Sequence, residues 1–192
     1  MKNAIALTGG IATGKSTVSS IIKLYGYPII DADKISHSLL TTDIVRDNFG
    51  DSFIVDNSID RANFGKFIFS NPDAKKRLET ILHPLIRDEI SREAELLDNK
   101  NIIYLIDIPL FFETKAYEIK DVVCVYTPFE IQLERLIKRD NISRDFAITK
   151  IRNQMDIDEK KRLSNFVIDN SKDLKHLQKE VINFIETVLK NR

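Results

Sequence analysis

The chain has 192 residues, of which 43% are hydrophobic, and its 29 basic residues equal its 29 acidic residues in number. This length suffices for one domain with a substantial core and a small inserted subdomain. The zero net charge gives no general attraction to nucleic acid or to an anionic membrane, so we expect neither as a partner. With one cysteine, no membrane-length apolar stretch and no signal-like segment at the start, we expect a cytoplasmic protein.

The first predicted elements are a strand, a glycine-rich loop and a helix. Residues 4–7 form a short apolar run, residues 9–16 match the pattern G-x-x-x-x-G-K-[ST], and helical spacing of apolar residues follows from Val18 to Tyr25. In this context the loop backbone binds phosphate, Lys15 reaches the β- and γ-phosphates, and the Ser16 hydroxyl holds Mg²⁺. The sequence therefore predicts binding of a nucleoside triphosphate such as ATP with Mg²⁺. The predicted nucleotide-binding residues are Gly9, Gly10, Ile11, Ala12, Thr13, Gly14, Lys15, Ser16 and Thr17.

A second strand and a long helical region come next. Residues 27–31 are predicted as a strand, helical spacing follows over 35–40 and 44–49, and residues 51–58 are predicted to be a polar connection. A helical region then runs from about residue 61 to 99. Its two prolines, Pro72 and Pro84, each favour a break or a fresh first turn.

The remaining pattern completes an α/β fold. Apolar runs at 102–107, 122–126 and 166–169 predict strands, and helices are expected over about 128–139, 144–155 and 171–190. Continuous apolar strands are buried on both faces, which indicates a parallel sheet flanked by helices. The sequence predicts a single α/β domain over residues 1–192, with a doubly wound, five-stranded parallel sheet of the P-loop kinase type. A helical insertion is expected over about 60–100, and a helical lid over about 135–155.

Acidic residues lie at the ends of the second and third predicted strands. Asp31 ends the second strand, Asp33 follows two positions later, and Asp107 ends the third, at the carboxyl ends of the strands, where ligands bind in such sheets. Asp31 and Asp33 are both candidates for the base that deprotonates a hydroxyl acceptor. They point the same way if strand geometry persists and diverge if a helix begins there, so spacing alone does not choose. Asp107 is expected to hold Mg²⁺ directly or through water, or else to cap the turn before Pro109.

Basic residues supply the other candidates. Arg139, together with Arg135 and Arg144, lies on a predicted helix–turn–helix that either closes over the triphosphate or forms a solvated surface. His83, helped by Arg87, is a candidate for recognising a substrate phosphate, and the alternative is an ordinary cap or surface histidine.

Taken together, the motifs resemble those of the dephospho-coenzyme A kinases over nearly the whole chain. The segments that carry the resemblance are LTGGIATGKST (7–17), DADKIS (31–36), LETILHPLI (78–86), DIPLFFE (107–113), QLERLIKRD (132–140) and FVIDN (166–170). The resemblance implies transfer of the ATP γ-phosphate to the ribose 3′-hydroxyl of dephospho-coenzyme A, the last step of coenzyme A synthesis.

The resemblance also implies residue roles. It selects Asp33 as the general base and Arg139 as a lid arginine, and it places His83 with the neighbouring helices on the coenzyme side. Asn170 falls where the family approaches the adenine of ATP. Two positions depart from the family pattern. Ala12 replaces a frequent glycine, which is a mild change if its φ is negative, and His37 replaces a frequent arginine.

Three alternatives remain open on the sequence. Another small-metabolite or nucleoside monophosphate kinase would share the loop and lid. A GTPase-like switch is disfavoured because residues 99–102 lack the acid of an N/T-K-x-D tetrapeptide. A nucleic-acid-binding ATPase is disfavoured by the zero net charge. The sequence makes no prediction of oligomeric state.

Overall fold

A computed structural model describes all residues from 1 to 192. The chain forms seven strands and ten α-helices, with a 3₁₀ turn at Asp51–Phe53 and a π-helical turn at Ile185–Leu189. The strands are β1 (Ala4–Gly9), β2 (Ile29–Asp31), β3 (Ile54–Val55), β4 (Ser58–Ile59), β5 (Tyr104–Asp107), β6 (Asp121–Tyr126) and β7 (Phe166–Asp169). The helices are α1 (Lys15–Leu24), α2 (Ala32–Leu39), α3 (Thr42–Phe49), α4 (Arg61–Ser70), α5 (Pro72–Asn99), α6 (Phe111–Thr114), α7 (Phe129–Asp140), α8 (Arg144–Arg152), α9 (Ile157–Leu163) and α10 (Leu174–Phe184).

Five of the strands form one parallel sheet in the order β2-β5-β1-β6-β7. β1 lies at its centre, where Ala6 pairs with Ile106 on one side and with Val122 on the other. Every residue of β1 is buried, because helices cover the sheet as expected for a doubly wound fold. The predicted five-stranded parallel α/β fold is confirmed.

Apolar residues of α1 and α10 form the core on one side of this sheet. Val18 and Ile22 of α1 and Val181 of α10 are fully buried against Ile5 and other strand residues. Because the phosphate loop joins β1 to α1, this core fixes both ends of the loop.

The chain divides into two compact units, the first of residues 1–31 and 94–192 and the second of residues 32–93. The second unit begins at Ala32, well before the helical insertion predicted for about 60–100. It contains an aromatic cluster of Phe49, Phe53, Phe64 and Phe67, in which the centroids of contacting rings are 4.9–6.4 Å apart. No helix of the chain combines the length and the apolar character needed to cross a bilayer.

The prediction of a polar connection over residues 51–58 is wrong. The segment contains the 3₁₀ turn and most of a two-stranded hairpin, in which Ile54 pairs with Ile59 and Val55 with Ser58. Asp56 and Asn57 make the turn with φ of 48° and 57°. Both residue types tolerate this left-handed conformation, so the turn is sterically accessible.

The structure also differs from prediction at Pro84 and at two short helices. Pro84 lies inside α5 and does not break it. Leu82, before Pro84, and Ile90, after it, are both buried. Because the helix packs on both sides of Pro84, one continuous helix is favoured. The short helices α6 and α9 were not predicted, since four and seven residues are too few for a clear apolar period.

Candidate active site

The loop between β1 and α1 is curled by two residues in the left-handed region. Ala12 has φ of 60° and Gly14 has φ of 87°. Between them, Thr13 donates its backbone N–H to the Gly10 carbonyl over 3.3 Å and its hydroxyl to the same oxygen over 2.9 Å. Such a curl turns successive backbone N–H groups towards a common centre, which is the arrangement that binds anionic oxygens.

The φ of Ala12 does not meet the expectation made from the sequence. Alanine was expected to be a mild replacement for glycine if φ were negative, but the residue lies in the left-handed region, where a Cβ adds strain. Its methyl group packs on a small hydrophobic cluster formed by Leu133, Leu136 and Ala147. The side chain therefore gains contacts with α7 and α8 that a glycine would lack.

Close packing around the loop explains its glycines. A Cβ placed on Gly10 would lie 2.6 Å from Gln132 Oε1, and one placed on Gly14 would overlap Asn170 Nδ2. Neither position accepts a side chain without displacing a polar group that is buried. The loop backbone is thus held close to α7 and to the end of β7.

Lys15 and Asp107 form a partly buried ion pair at the carboxyl end of β5. Lys15 Nζ donates to Asp107 Oδ1, and Ser19 Oγ donates to Asp107 Oδ2 over 3.0 Å. Asp107 is 6% exposed, and in the sheet register it pairs with Asp31. The structure therefore brings together three predicted residues, Lys15, Asp107 and Asp31, at the carboxyl ends of adjacent strands.

Asn170 and Thr127 brace the loop from the other side. Asn170 Nδ2 donates to the Thr13 carbonyl over 2.7 Å, and the Thr127 hydroxyl lies 3.2 Å from the same oxygen. Both residues are buried. Asn170 thus contacts the phosphate loop itself, and its predicted place beside adenine stays a prediction.

Gln154, which follows α8, was not among the predicted site residues. Its Oε1 accepts the Ile11 N–H over 2.7 Å. A cavity of about 450 Å³ lies beside this contact and is lined by Gly10, Gln132, Arg152, Gln154 and Asp156, among others. An uncharged glutamine in a turn carries no sequence signal, so only the fold reveals this contact.

Arg139 lies in the last turn of α7 and forms an ion pair with the acidic residue that follows it. Its Nε donates to Asp140 Oδ1 over 2.7 Å, while Lys150 Nζ of α8 donates to Asp140 Oδ2 over 2.8 Å. Hydrogen bonds from Arg139 and then Lys150 hold the pKa of Asp140 well below its ordinary value. Asp140 therefore joins α7 to α8, and the Arg139 guanidinium stays more than half exposed beside it.

In the second unit, two pairs of candidates share helix faces. Asp33 lies in the first turn of α2, so strand geometry ends at Asp31 and does not continue to Asp33. His37 follows one turn later on the same exposed face, and its carbonyl accepts a hydrogen bond from Arg61 over 3.2 Å. On α5, His83 and Arg87 are both exposed and are also one turn apart.

Comparisons with known proteins show which family the chain is similar to. The sequence profile of one family, described as dephospho-CoA kinase, matches residues 3–176. A protein named dephospho-CoA kinase from Sulfurimonas denitrificans is 54% identical over 189 residues, covering 97% of this chain and 94% of its own. One from Helicobacter pylori is 42% identical and covers 98% and 99%. The solved structure of dephospho-CoA kinase from Campylobacter jejuni superposes with a TM-score of 0.77 at 33% identity, covering 98% of each chain.

Proposed function

The chain belongs to the dephospho-CoA kinase family, and we propose that it transfers the γ-phosphate of ATP to the ribose 3′-hydroxyl of dephospho-CoA, giving CoA and ADP. The observation that carries this proposal is the phosphate loop, with Lys15 paired to Asp107 where β1 and β5 end. The names of the relatives support dephospho-CoA as the acceptor. The two rival functions, a different small-metabolite kinase and a nucleotide switch, have no such support.

The donor side of the site suits a triphosphate. Residues 9–17 would hold the phosphates through backbone N–H groups and the N-terminus of α1, whose positive dipole end favours anions. An ammonium has three N–H donors, so Lys15 can keep Asp107 as a partner and still donate to phosphate oxygens. Asn170 is proposed to line the adenine side.

Two oxygen-bearing side chains are proposed to hold a magnesium ion. The exposed Ser16 hydroxyl is the proposed direct ligand, and the Asp107 carboxylate is proposed to act through water. Hydroxyl, carboxylate and water oxygens are the donors that Mg²⁺ accepts. When bound, the ion would neutralise negative charge on the phosphates.

On the acceptor side, we assign Asp33 as the general base. Its carboxylate takes the proton of the 3′-hydroxyl as the new O–P bond forms and the bond from the γ-phosphorus to the departing ADP oxygen breaks. The exposure of Asp33 in the first turn of α2 supports this assignment, since an incoming hydroxyl must reach it. Asp31 is the alternative base and is otherwise proposed to bind the acceptor.

The proposed roles of the remaining acceptor and lid residues rest on their polar or charged side chains. His83 and Arg87 present two adjacent polar groups that suit the anionic phosphates of the coenzyme. Arg139 is proposed to bring positive charge to the transferring phosphoryl group when the segment of about 135–155 closes as a lid. Residues of about 60–100 are proposed as the substrate subdomain.

A coupled assay of ADP release tests the proposed function. The purified chain with ATP and Mg²⁺ should release ADP rapidly only when dephospho-CoA is added. CoA is the matched control acceptor, because it differs by carrying a phosphate on the 3′-oxygen and so offers no acceptor hydroxyl there. Nucleoside monophosphates and shikimate should be inert. ADP release that is the same without an acceptor, or faster with one of the other compounds, would contradict the proposal.

A further inference from the structure

Lys160 is a charged residue that the proposed mechanism does not use, and it is completely buried. Its side chain is 0% exposed in α9. The ammonium lies 2.8 Å from Glu113 Oε1, 2.9 Å from the Pro109 carbonyl oxygen and 3.4 Å from the Gly9 carbonyl oxygen. Three acceptors from three separate segments thus surround its three N–H donors. Taking such a charge out of water is unfavourable, so a buried ion pair is weak evidence of a purely stabilising role.

The two backbone acceptors of Lys160 lie in the two segments that carry Lys15 and Asp107. Gly9 ends β1 and begins the phosphate loop, and Pro109 follows Asp107 by two positions. The Thr8 hydroxyl donates to the same Pro109 carbonyl over 3.1 Å. Lys160 therefore joins the start of the loop to the segment that leaves β5.

The Gly9 carbonyl belongs to the peptide unit that joins the end of β1 to the phosphate loop. A peptide is planar, so the direction of the Gly9 C=O also sets the direction of the Gly10 N–H. This peptide lies between two glycines, whose backbone dihedrals are the least restricted of all residues. A fixed donor on the Gly9 oxygen holds both groups, and it does so at the first peptide of the anion-binding loop.

Glu113 is the charged partner of the Lys160 ammonium. Its Oε1 also accepts the Met155 N–H over 3.0 Å, and its Oε2 is buried without a hydrogen-bond partner. Met155 adjoins Gln154, whose Oε1 accepts the Ile11 N–H. The turn between α8 and α9 thus contacts both the loop and the carboxylate that fixes Lys160.

We infer that Lys160, held by Glu113, is a positioning residue that fixes the Gly9–Gly10 peptide and thereby the phosphate loop for nucleotide binding and transfer. Its effect on turnover rests on the proposed kinase activity, whereas its effect on ADP binding does not. Loss of the ammonium lets the peptide rotate, so the loop must be ordered again each time a nucleotide binds.

The test compares Lys160→Met with a double variant and a control. Lys160→Met keeps side-chain length but leaves the Glu113 charge alone in the interior. Lys160→Met/Glu113→Gln removes both charges, and the amide oxygen introduced by Glu113→Gln can still accept the Met155 N–H. Lys161→Met is the matched control on the same helix, because the Lys161 ammonium is exposed and lies 4.0 Å from the Tyr126 ring centroid.

Four measurements separate positioning from stability: the free energy of unfolding in denaturant, the ADP dissociation constant by calorimetry, kcat with dephospho-CoA, and the NMR signal of the Gly10 amide. In the folded double variant we expect the ADP dissociation constant to rise about 10-fold and kcat to fall about 10- to 100-fold. The Gly10 amide should be exchange-broadened in NMR spectra of the double variant and sharp in those of the wild type. Lys161→Met should change each quantity less than about 2-fold.

Two results would overturn the inference. One is a double variant that is merely less stable, with wild-type ADP affinity, kcat and Gly10 amide signal. The other is a double variant that does not fold, because the pair would then be needed for the fold itself. If wild-type protein binds ADP but shows no turnover with dephospho-CoA, the proposed function fails while the ADP and NMR measurements still decide the role of Lys160.

Discussion

The two aspartates at the end of β2 and the start of α2 differ in local structure. Asp31 is the last residue of the strand and pairs with Asp107, whereas Asp33 is already in the first turn of α2. Their side chains therefore extend from different backbone geometries, although the residues are only two positions apart. Substitution can distinguish them as the base, because only the base is needed for proton removal.

Asp33→Asn should lower kcat by about 10²- to 10⁴-fold, since an amide of the same shape cannot take the acceptor proton. ATP binding should be largely kept, because the assigned role concerns the acceptor. Steady-state kinetics with dephospho-CoA and calorimetric ATP titration measure the two effects. Asp31→Asn is the comparison variant. Near wild-type turnover in Asp33→Asn, with a large loss in Asp31→Asn, would move the base to Asp31.

Two glycines of the first unit offer a controlled test of loop packing. Gly14 and Gly26 have almost the same φ, 87° and 88°. A Cβ on Gly14 would overlap the Asn170 amide, whereas a Cβ on Gly26 would meet nothing within 4 Å. The strain of alanine in the left-handed region is therefore common to both sites, and only the Gly14 site adds a collision at the phosphate loop.

Gly26→Ala should cost about 1–2 kcal/mol of unfolding free energy and leave the ADP dissociation constant unchanged. Gly14→Ala should cost more and also weaken ADP binding, because Asn170 is displaced from the Thr13 carbonyl that it holds at 2.7 Å. Denaturant unfolding and ADP calorimetry on both variants give the comparison. Equal effects of the two substitutions on ADP affinity would show that packing against Asn170 is unimportant for the loop.

At the level of elements, most strands and helices were predictable because their apolar residues recur with a clear period. β7 was predicted over the residues it occupies, and α7 was displaced by one residue at each end. The short helix α9 was not predicted, although it carries Lys160. In the sequence Lys160-Lys161-Arg162 the three cations look alike, and only the fold shows that the first is buried. Burial of a charge depends on distant acceptors that no local pattern contains.

The α7–α8 pair carries the proposed lid arginine. The Arg139 guanidinium is exposed on one side and is held by Asp140 on the other. Lys138, its neighbour in the last turn of α7, is also exposed. If charge at this end of α7 acts on the transferring phosphoryl group, the two cations should differ sharply in their effect on turnover.

Arg139→Ala should lower kcat about 10²-fold and raise the KM for ATP much less, since the charge is needed most in the transition state. Lys138→Ala should leave both constants within about 2-fold of wild type. Steady-state kinetics at saturating dephospho-CoA measure the difference. A weakened ATP affinity with unchanged kcat in Arg139→Ala would assign the residue to ground-state binding and remove it from the transferring group.

At the scale of the whole molecule, the start of the chain is fixed by a residue far away in sequence. The Asp98 carboxylate, in the last turn of α5, accepts the N–H groups of Lys2 and Asn3 over 2.8 and 2.9 Å. Asn3 directly precedes β1, so these bonds anchor the central strand. Neither these hydrogen bonds nor the Lys15–Asp107 pair could be predicted from the sequence, because their partners are more than 90 positions apart and no local pattern joins them.

This contact predicts a specific dependence of stability on pH. Burial by itself would raise the pKa of Asp98, but the hydrogen bonds from Asn3 and Lys2, together with Tyr104 and the charged N-terminal amine, outweigh it, so the pKa in the folded protein lies below the ordinary value. The unfolded chain then binds the proton first as the pH falls. The stabilisation by Asp98 is fully present above the ordinary aspartate pKa of about 3.9 and is lost as the pH falls through the folded pKa.

Denaturant unfolding of wild type and Asp98→Asn between about pH 6 and pH 3 measures this contribution. The wild type should be the more stable protein at pH 6, and the difference should shrink steadily towards pH 3, because the protonated carboxyl no longer accepts the two N–H groups as a charged partner. Asp88→Asn makes the same exchange at an exposed position of α5 and corrects for the change of residue type. A difference that is constant over this range would show that the Asp98 charge does not anchor β1, and that the two hydrogen bonds are as strong to a neutral amide as to a carboxylate.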